Sequence, residues 1–124
     1  MTFLVLFDGS TTDFRVDPDM IVGEITAEWP GVRIDPTKIS DARSLTWVAR
    51  DVVDAFEAYL HSDGTCVYVD GQLESAADVA VWLRRFVPGE IDLIFCDSGY
   101  NFSVSVTATS RAADLLENME SGSE

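Results

Sequence analysis
Histidine, cysteine and positive charge are all scarce in this chain. Its 124 residues include one histidine, two cysteines and eight lysines and arginines, against 22 aspartates and glutamates. His61 alone cannot complete a zinc site, because a structural site needs four nitrogen or sulfur ligands. Cys66 and Cys96 stand in the apolar stretches TCVYV and LIFCD, with no Cys-x-x-Cys spacing. They are expected to be buried thiols, as unbridged cysteines in cores usually are. A disulfide between neighbouring strands is the alternative, and it would fit poorly with a reducing compartment. Long hydrophobic stretches are also missing. Runs such as Phe3 to Phe7 are far shorter than the roughly 20 residues that span a bilayer. The opening MTFLVLFDGS has no basic segment before its apolar run, so it does not resemble a secretory signal, and a cytoplasmic location is expected.

Catalytic and cofactor motifs are equally sparse. The eight glycines are scattered through turns such as Asp8-Gly9, Asp63-Gly64 and Asp70-Gly71, and none forms a phosphate-cradling loop. Asp17-x-Asp19 matches a fragment of a calcium loop, but Pro18 and the missing downstream ligands break the pattern. Neither cysteine has a histidine or a basic cluster near it in sequence to lower its pKa, and His61 adjoins a turn as a bystander. The chain is therefore expected not to be an enzyme and to need no cofactor or metal.

What the chain has is negative charge, −14 in all. Such a surface repels phosphate backbones and anionic lipid headgroups, so no nucleic-acid or membrane partner is expected. A protein partner should be basic. The competing explanation is that acidity serves solubility alone. Residues 1–62 hold 11 acids and 5 bases, and residues 63–124 hold 11 acids and 3 bases, so the charge is spread rather than stored in a tail.

The 47% hydrophobic fraction suffices for one core, and the expected organisation is a single globular domain over 1–119 with a frayed tail at 120–124. FLVLF at 3–7 suits a buried strand closed by Asp8-Gly9-Ser10. Asp17-Pro18 marks the start of a helix over 18–29, with Asp17 as N-cap and Pro30-Gly31 as its stop. A short strand is expected at 32–34, then a polar loop to Arg43 and a strand around 45–49. The stretch 51–61 is ambiguous between helix and strand. Asp63-Gly64, a favoured two-residue hairpin turn, tips it to a strand over 53–62 paired with 65–70. Ser75 and Asp78 resemble a capping box for a helix over 75–87, with Arg84 and Arg85 facing outward. IDLIFCD and NFSVSVTA form a hairpin around Ser98-Gly99. Phe102, Val104 and Val106 lie on one face of its second strand, and Asn101, Ser103, Ser105 and Thr107 on the other. A last helix spans 110–119. The fold class is thus α+β, a mainly antiparallel sheet of about five or six strands with helices packed mostly on one face.

Aromatic groups stand near acids at three turns: Phe7-Asp8 with Phe14, Tyr68 to Asp70, and Asp97 to Tyr100. Tyrosine beside aspartate can receive Arg or Lys, since the ring supplies contact area and the carboxylate pairs with the cation. The stretch YVDGQLESAADVAVWLRRFVPGEIDLIFCDSGYNFSVSV, with Asp70-Gly71, Trp82, Arg84, Pro88, Asp97 and Tyr100 in place and Trp29-Pro30 upstream, resembles a pattern in small acidic bacterial immunity proteins of polymorphic toxin systems. The resemblance covers about half the chain. It implies a cytoplasmic, non-catalytic inhibitor that binds and neutralises a cognate toxin domain, which the chain's acidity suggests is basic. A small acidic adaptor or regulatory module is the alternative, followed by a small-ligand binder or enzyme with a pocket between sheet and helices. The expected partner-binding residues are Asp70, Glu74, Asp97 and Tyr100. They share one edge if the strands ending at Asp70 and Asp97 are parallel neighbours joined by the intervening helix.

Overall fold
Alternating apolar residues build a seven-stranded sheet here because each strand has one face dry enough to meet a helix. A computed structural model describes residues 2–29, 31–35, 43–49, 55–61, 63–97, 99, 103–107, 111 and 115. In chain order the elements are β1 (Thr2–Leu6), α1 (Pro18–Glu28), β2 (Arg33–Asp35), β3 (Arg43–Ala49), β4 (Phe56–His61), β5 (Cys66–Asp70), α2 (Leu73–Arg84), β6 (Leu93–Asp97) and β7 (Ser103–Val106). The strands lie in the order β2-β3-β4-β5-β1-β6-β7, and every neighbouring pair is antiparallel. The fold is α+β, with one or two strands more than the sequence suggests.

β1 is central, which explains its unbroken apolar run: a strand with partners on both sides and both faces largely covered needs no polar residue. Phe3 and Val5 face one side, and Leu4 is buried on the other. Phe3 and Val5, with Val67, Val69, Ala58, Leu60, Leu45, Trp47, Leu93, Phe95 and Val106, join Ile21 and Ile25 of α1 and the apolar side of α2 in one core. Both helices therefore cover the same sheet face. All three tryptophans meet beneath them. Trp82 of α2 lies 5.1 Å from Trp29 and 6.1 Å from Trp47 between ring centres, with Phe86 at 5.0 Å. No described helix is long and apolar enough to cross a membrane.

Local chemistry sets most boundaries. Asp17 caps α1, its Oδ1 accepting the Asp19 N–H at 2.9 Å, and Pro18 opens the helix. α2 starts earlier than a capping box at Ser75 would place it. Gln72 is its N-cap without a side-chain bond, and Ser75 is buried inside the first turn. The helix ends at Arg84, after which 3₁₀-type bonds from Arg85, Phe86 and Val87 tighten the exit. Arg85 is exposed as expected, with Nη1 3.5 Å from Glu28 Oε1. Arg84 is not: it is buried, and its guanidinium donates to backbone carbonyls of Val87, Pro88, Ile91 and Val106.

The β4–β5 hairpin confirms the strand alternative for 56–61, while 51–54 lie outside the described residues. The strands end at His61 and Cys66, so the loop spans four residues rather than two, yet its register is the one that Asp63-Gly64 dictates. Gly64 takes φ +75°, and a Cβ there would lie 3.0 Å from both Arg15 Cβ and Val16 O, so glycine is required twice over. Of the expected helix over 110–119, the described residues include Arg111 and Leu115. Leu115 is buried, and its N–H donates to the Arg111 carbonyl. The tail at 120–124 and Phe102 lie outside the described residues.

Candidate functional site
Two strand ends define the edge to which the sequence assigns partner binding. β5 and β6 both run antiparallel to β1, so they are parallel to each other, with β1 between them rather than side by side. α2 carries the chain from one to the other across β1. Asp70 pairs with Thr2 and Asp97 with Phe3, which brings both aspartates to the start of β1. Glu74 is exposed in the first turn of α2, close in sequence to Asp70. Gly71 permits the tight passage from β5 into α2, since a Cβ there would meet Phe56 Cβ at 2.9 Å. The shared edge is thus present, reached by a crossover instead of direct strand pairing.

The side chains at that edge differ in orientation. Asp70 falls in the register row of Glu57 and Thr2, on the face away from the helices, and is exposed. Asp97 continues the inward alternation of Leu93 and Phe95 and is 5% exposed, so it is not the solvent-facing charge that a strand-end turn suggests. Tyr100 lies outside the described residues. Of the other aromatic-acid pairs, Phe7 is buried and packs on Phe14 with ring centres 5.9 Å apart, so Phe7 is core rather than receptor.

A group that the sequence analysis missed lies on the sheet face opposite α1 and α2. Tyr59 and Tyr68 are register partners across β4 and β5, and their rings stack with centres 4.6 Å apart and planes 11° apart. Their row continues through Leu4 of β1 and Cys96 of β6, both buried, half-buried Leu6 and Ile94 lie in the next row, and exposed Ser103 and Ser105 end the face on β7. The hairpin register was the available signal, because placing Asp63-Gly64 at the turn already sets Tyr59 opposite Tyr68.

The same hairpin brings His61, Asp63 and Cys66 together, residue types that can form a thiol nucleophile. Their electrostatics run the other way. Burial pushes the Cys66 thiol up from the ordinary 9.0 to about 12, with Cys96 and Asp63 adding to the shift and a hydrogen bond with Tyr68 opposing it. The Cys96 thiol is raised by burial and by Asp97. His61 Nδ1 lies 2.6 Å from Asp63 Oδ1 and 3.1 Å from the Asp63 amide nitrogen, so this side of the ring is held by the turn. Both cysteines are unbridged; Cys96 is buried as expected, whereas Cys66, near the hairpin turn, is only half-buried. They sit on β5 and β6 with β1 between, too far apart for a disulfide. Cys66 is accordingly expected to resist alkylation in the folded protein at about pH 8 and to react on unfolding. Its folded pKa exceeds the unfolded value, so the native state keeps a proton that the unfolded chain releases. The Cys66 contribution is intact below about pH 9, and stability falls from there toward pH 12. A native thiol that is alkylated as fast as the unfolded one would contradict this environment.

Two grooves lie elsewhere among the described residues. One, of about 420 Å³, is lined by Asp8, Thr11, Thr12, Glu90, Ile91 and Asp92. The Asp8 carboxylate there is held below its usual range by hydrogen bonds from the Ser10 hydroxyl and amide. The other, of about 360 Å³, lies between the helices along Trp29, Val81 and Trp82, with Glu28, Asp78, Arg85 and Arg111 also lining it. Among the described residues no group of three or more His, Cys, Asp or Glu could hold a metal ion. Comparison of the chain with known protein families, with curated proteins and with solved structures returned no match.

Proposed function
We propose that this chain is a non-catalytic immunity protein that binds and neutralises a cognate, basic toxin domain in the bacterial cytoplasm. The observation that carries the reading is the acidic edge at the start of β1, where Asp70 and Glu74 are both exposed, four residues apart, on a chain of net charge −14. An acidic surface competes with phosphate for a basic nuclease-type partner and accelerates its encounter. The thiol of Cys66, held protonated, gives the hairpin cluster little nucleophilic character and so supports binding rather than covalent chemistry.

The test is growth rescue. The variable C-terminal domain of a large secreted protein encoded beside this gene is expressed with and without the chain. Rescue with recovery of a stable complex is expected, and toxicity that persists despite soluble chain would reject the reading. An adaptor would bind such a domain without restoring growth. Association should also slow markedly as salt rises, because steering acts over a screening length of about 8 Å at physiological ionic strength. Stopped-flow rates that ignore salt would leave the acidity as a solubility trait.

A further inference from the structure
We propose that the outward face of α1, formed by Met20, Gly23 and Ala27 between Asp19 and Glu24, is a docking surface for a basic amphipathic helix of a partner protein. The surface is separate from the strand-end edge at Asp70 and Glu74, and it does not rest on the immunity reading.

The helical period fixes this face. Ile21 and Ile25 are the buried residues of α1, and at about 100° per residue Gly23 points directly away from them, with Asp19, Met20, Thr26 and Ala27 on the same outer side. All five are exposed. Gly23 serves no visible need of this chain: a Cβ there would meet nothing within 4 Å, its φ is not positive, and in a helix interior only proline is less favourable than glycine. What it offers is a place where another backbone can come close. Met20, one turn earlier and 42% exposed, is the large apolar side chain left open among the described residues, and its flexible thioether suits adaptable contacts. The third observation is charge. Asp19, Glu24 and Glu28 are all exposed, and α1 contains no lysine or arginine. Glu28 lies 3.5 Å from Arg85, whereas Asp19 and Glu24 have no ion pair among the described residues.

This arrangement selects its occupant. From Met20 to Ala27 the face is straight and two turns long, and the side chains at a helix contact set how near, within about 8–10 Å, two helix axes can pack. A partner helix fits with alanine or glycine against Gly23, an apolar side chain on Met20, and lysine or arginine beside Asp19 and Glu24. Nucleic acid and anionic lipid are repelled by the same carboxylates. A second copy is disfavoured too. Two such faces brought together would set acid against acid on chains that each carry −14.

The experiment maps a designed helix onto the folded protein. Chain labelled with ¹⁵N is titrated with a peptide of about 20 residues carrying alanine and leucine on one helical face and lysine on its flanks, and amide shifts are followed by NMR. Saturable shifts centred on residues 19–27 are expected, and a shuffled peptide of the same composition should bind at least about tenfold more weakly. Gly23→Gln puts a good helix former into open space, so the unfolding midpoint should rise by about 2 °C while the peptide weakens at least about tenfold. Glu24→Lys should weaken it comparably. A lower midpoint in Gly23→Gln would mean that the fold itself needs the glycine, and would overturn the proposal. So would affinity indifferent to both variants, shifts centred on the Asp8–Glu90–Asp92 groove or on Asp70 and Glu74, equal binding of the shuffled peptide, or no saturable binding at all. Sedimentation supplies the remaining arm: self-association that Gly23→Gln abolishes would assign the face to a second copy and likewise overturn it. The mapping needs no toxin. A face that fails here leaves a positive growth rescue standing, and a failed rescue leaves a mapped face standing.

Discussion
Arg84→Met is expected to destabilise the fold by about 3 kcal/mol or more, although no carboxylate accounts for the residue's burial. Arg84 closes α2, and its side chain is 7% exposed. Nη1 donates to Ile91 O at 2.7 Å and Val106 O at 3.3 Å, while Nη2 donates to Val87 O at 3.0 Å and to Pro88 O. One planar group thus ties the helix exit, the connection into β6 and the end of β7. Carbonyls at a helix C-terminus and in a tight loop lack intrahelical partners, and a cation at that end also meets the negative pole of the helix. Methionine would fill much of the volume but donate nothing. Each carbonyl left buried and unpaired costs about 1–3 kcal/mol, and the recovered hydration of the guanidinium in the unfolded chain offsets part of the total. Arg84→Lys should restore a minor share, because a single ammonium cannot reach carbonyls on three segments. Denaturant titration with an unchanged m-value is the measurement. A loss below about 1 kcal/mol for the methionine variant would mean that water replaces the guanidinium at these carbonyls.

The burial of Arg84 was legible in the sequence, and charge obscured it. Ala77 and Ala80 lie seven and four residues before it, both buried, so the helical period puts position 84 on the inward face. Treating both arginines as solvated overrode that period. Asp97 repeats the lesson in a strand, where Leu93 and Phe95 set an alternation that continues inward. The hairpin was read more fully: Asp63-Gly64 specifies the pairing of residues 59 and 68 even though the loop proved longer. What could not be read locally is the place of β1. Its insertion between β5 and β6 joins residues half to three quarters of the chain apart, and nothing in FLVLF distinguishes one pair of neighbours from another. The edge carrying Asp70 and Asp97 was therefore correctly anticipated from an incorrect adjacency, because a crossover that skips one strand leaves its two strands parallel all the same.

Charge reversal at that edge is expected to separate two roles that proximity alone would merge. Asp70→Lys alters an exposed strand end, where even a surface ion pair contributes little, so thermal stability should move by no more than about 1 kcal/mol. If the edge engages a basic partner, the same variant should weaken the cognate toxin domain by about 2 kcal/mol, through lost attraction and new repulsion. Asp97→Lys should behave differently. Its position is buried on the helix-facing side of the sheet, beside the Cys96 thiol whose pKa its carboxylate helps to raise. A longer cation there must be dehydrated or must force the strand end open, at a cost of about 3 kcal/mol or more. Any binding loss in that variant would follow its unfolding, so the pair is compared at a temperature where both remain folded. Unchanged affinity in Asp70→Lys would remove the edge from the interface. An Asp97→Lys protein as stable as the parent would show that the strand end opens to solvent without disturbing the core, and Asp97 would then belong with Asp70 and Glu74 on the binding surface.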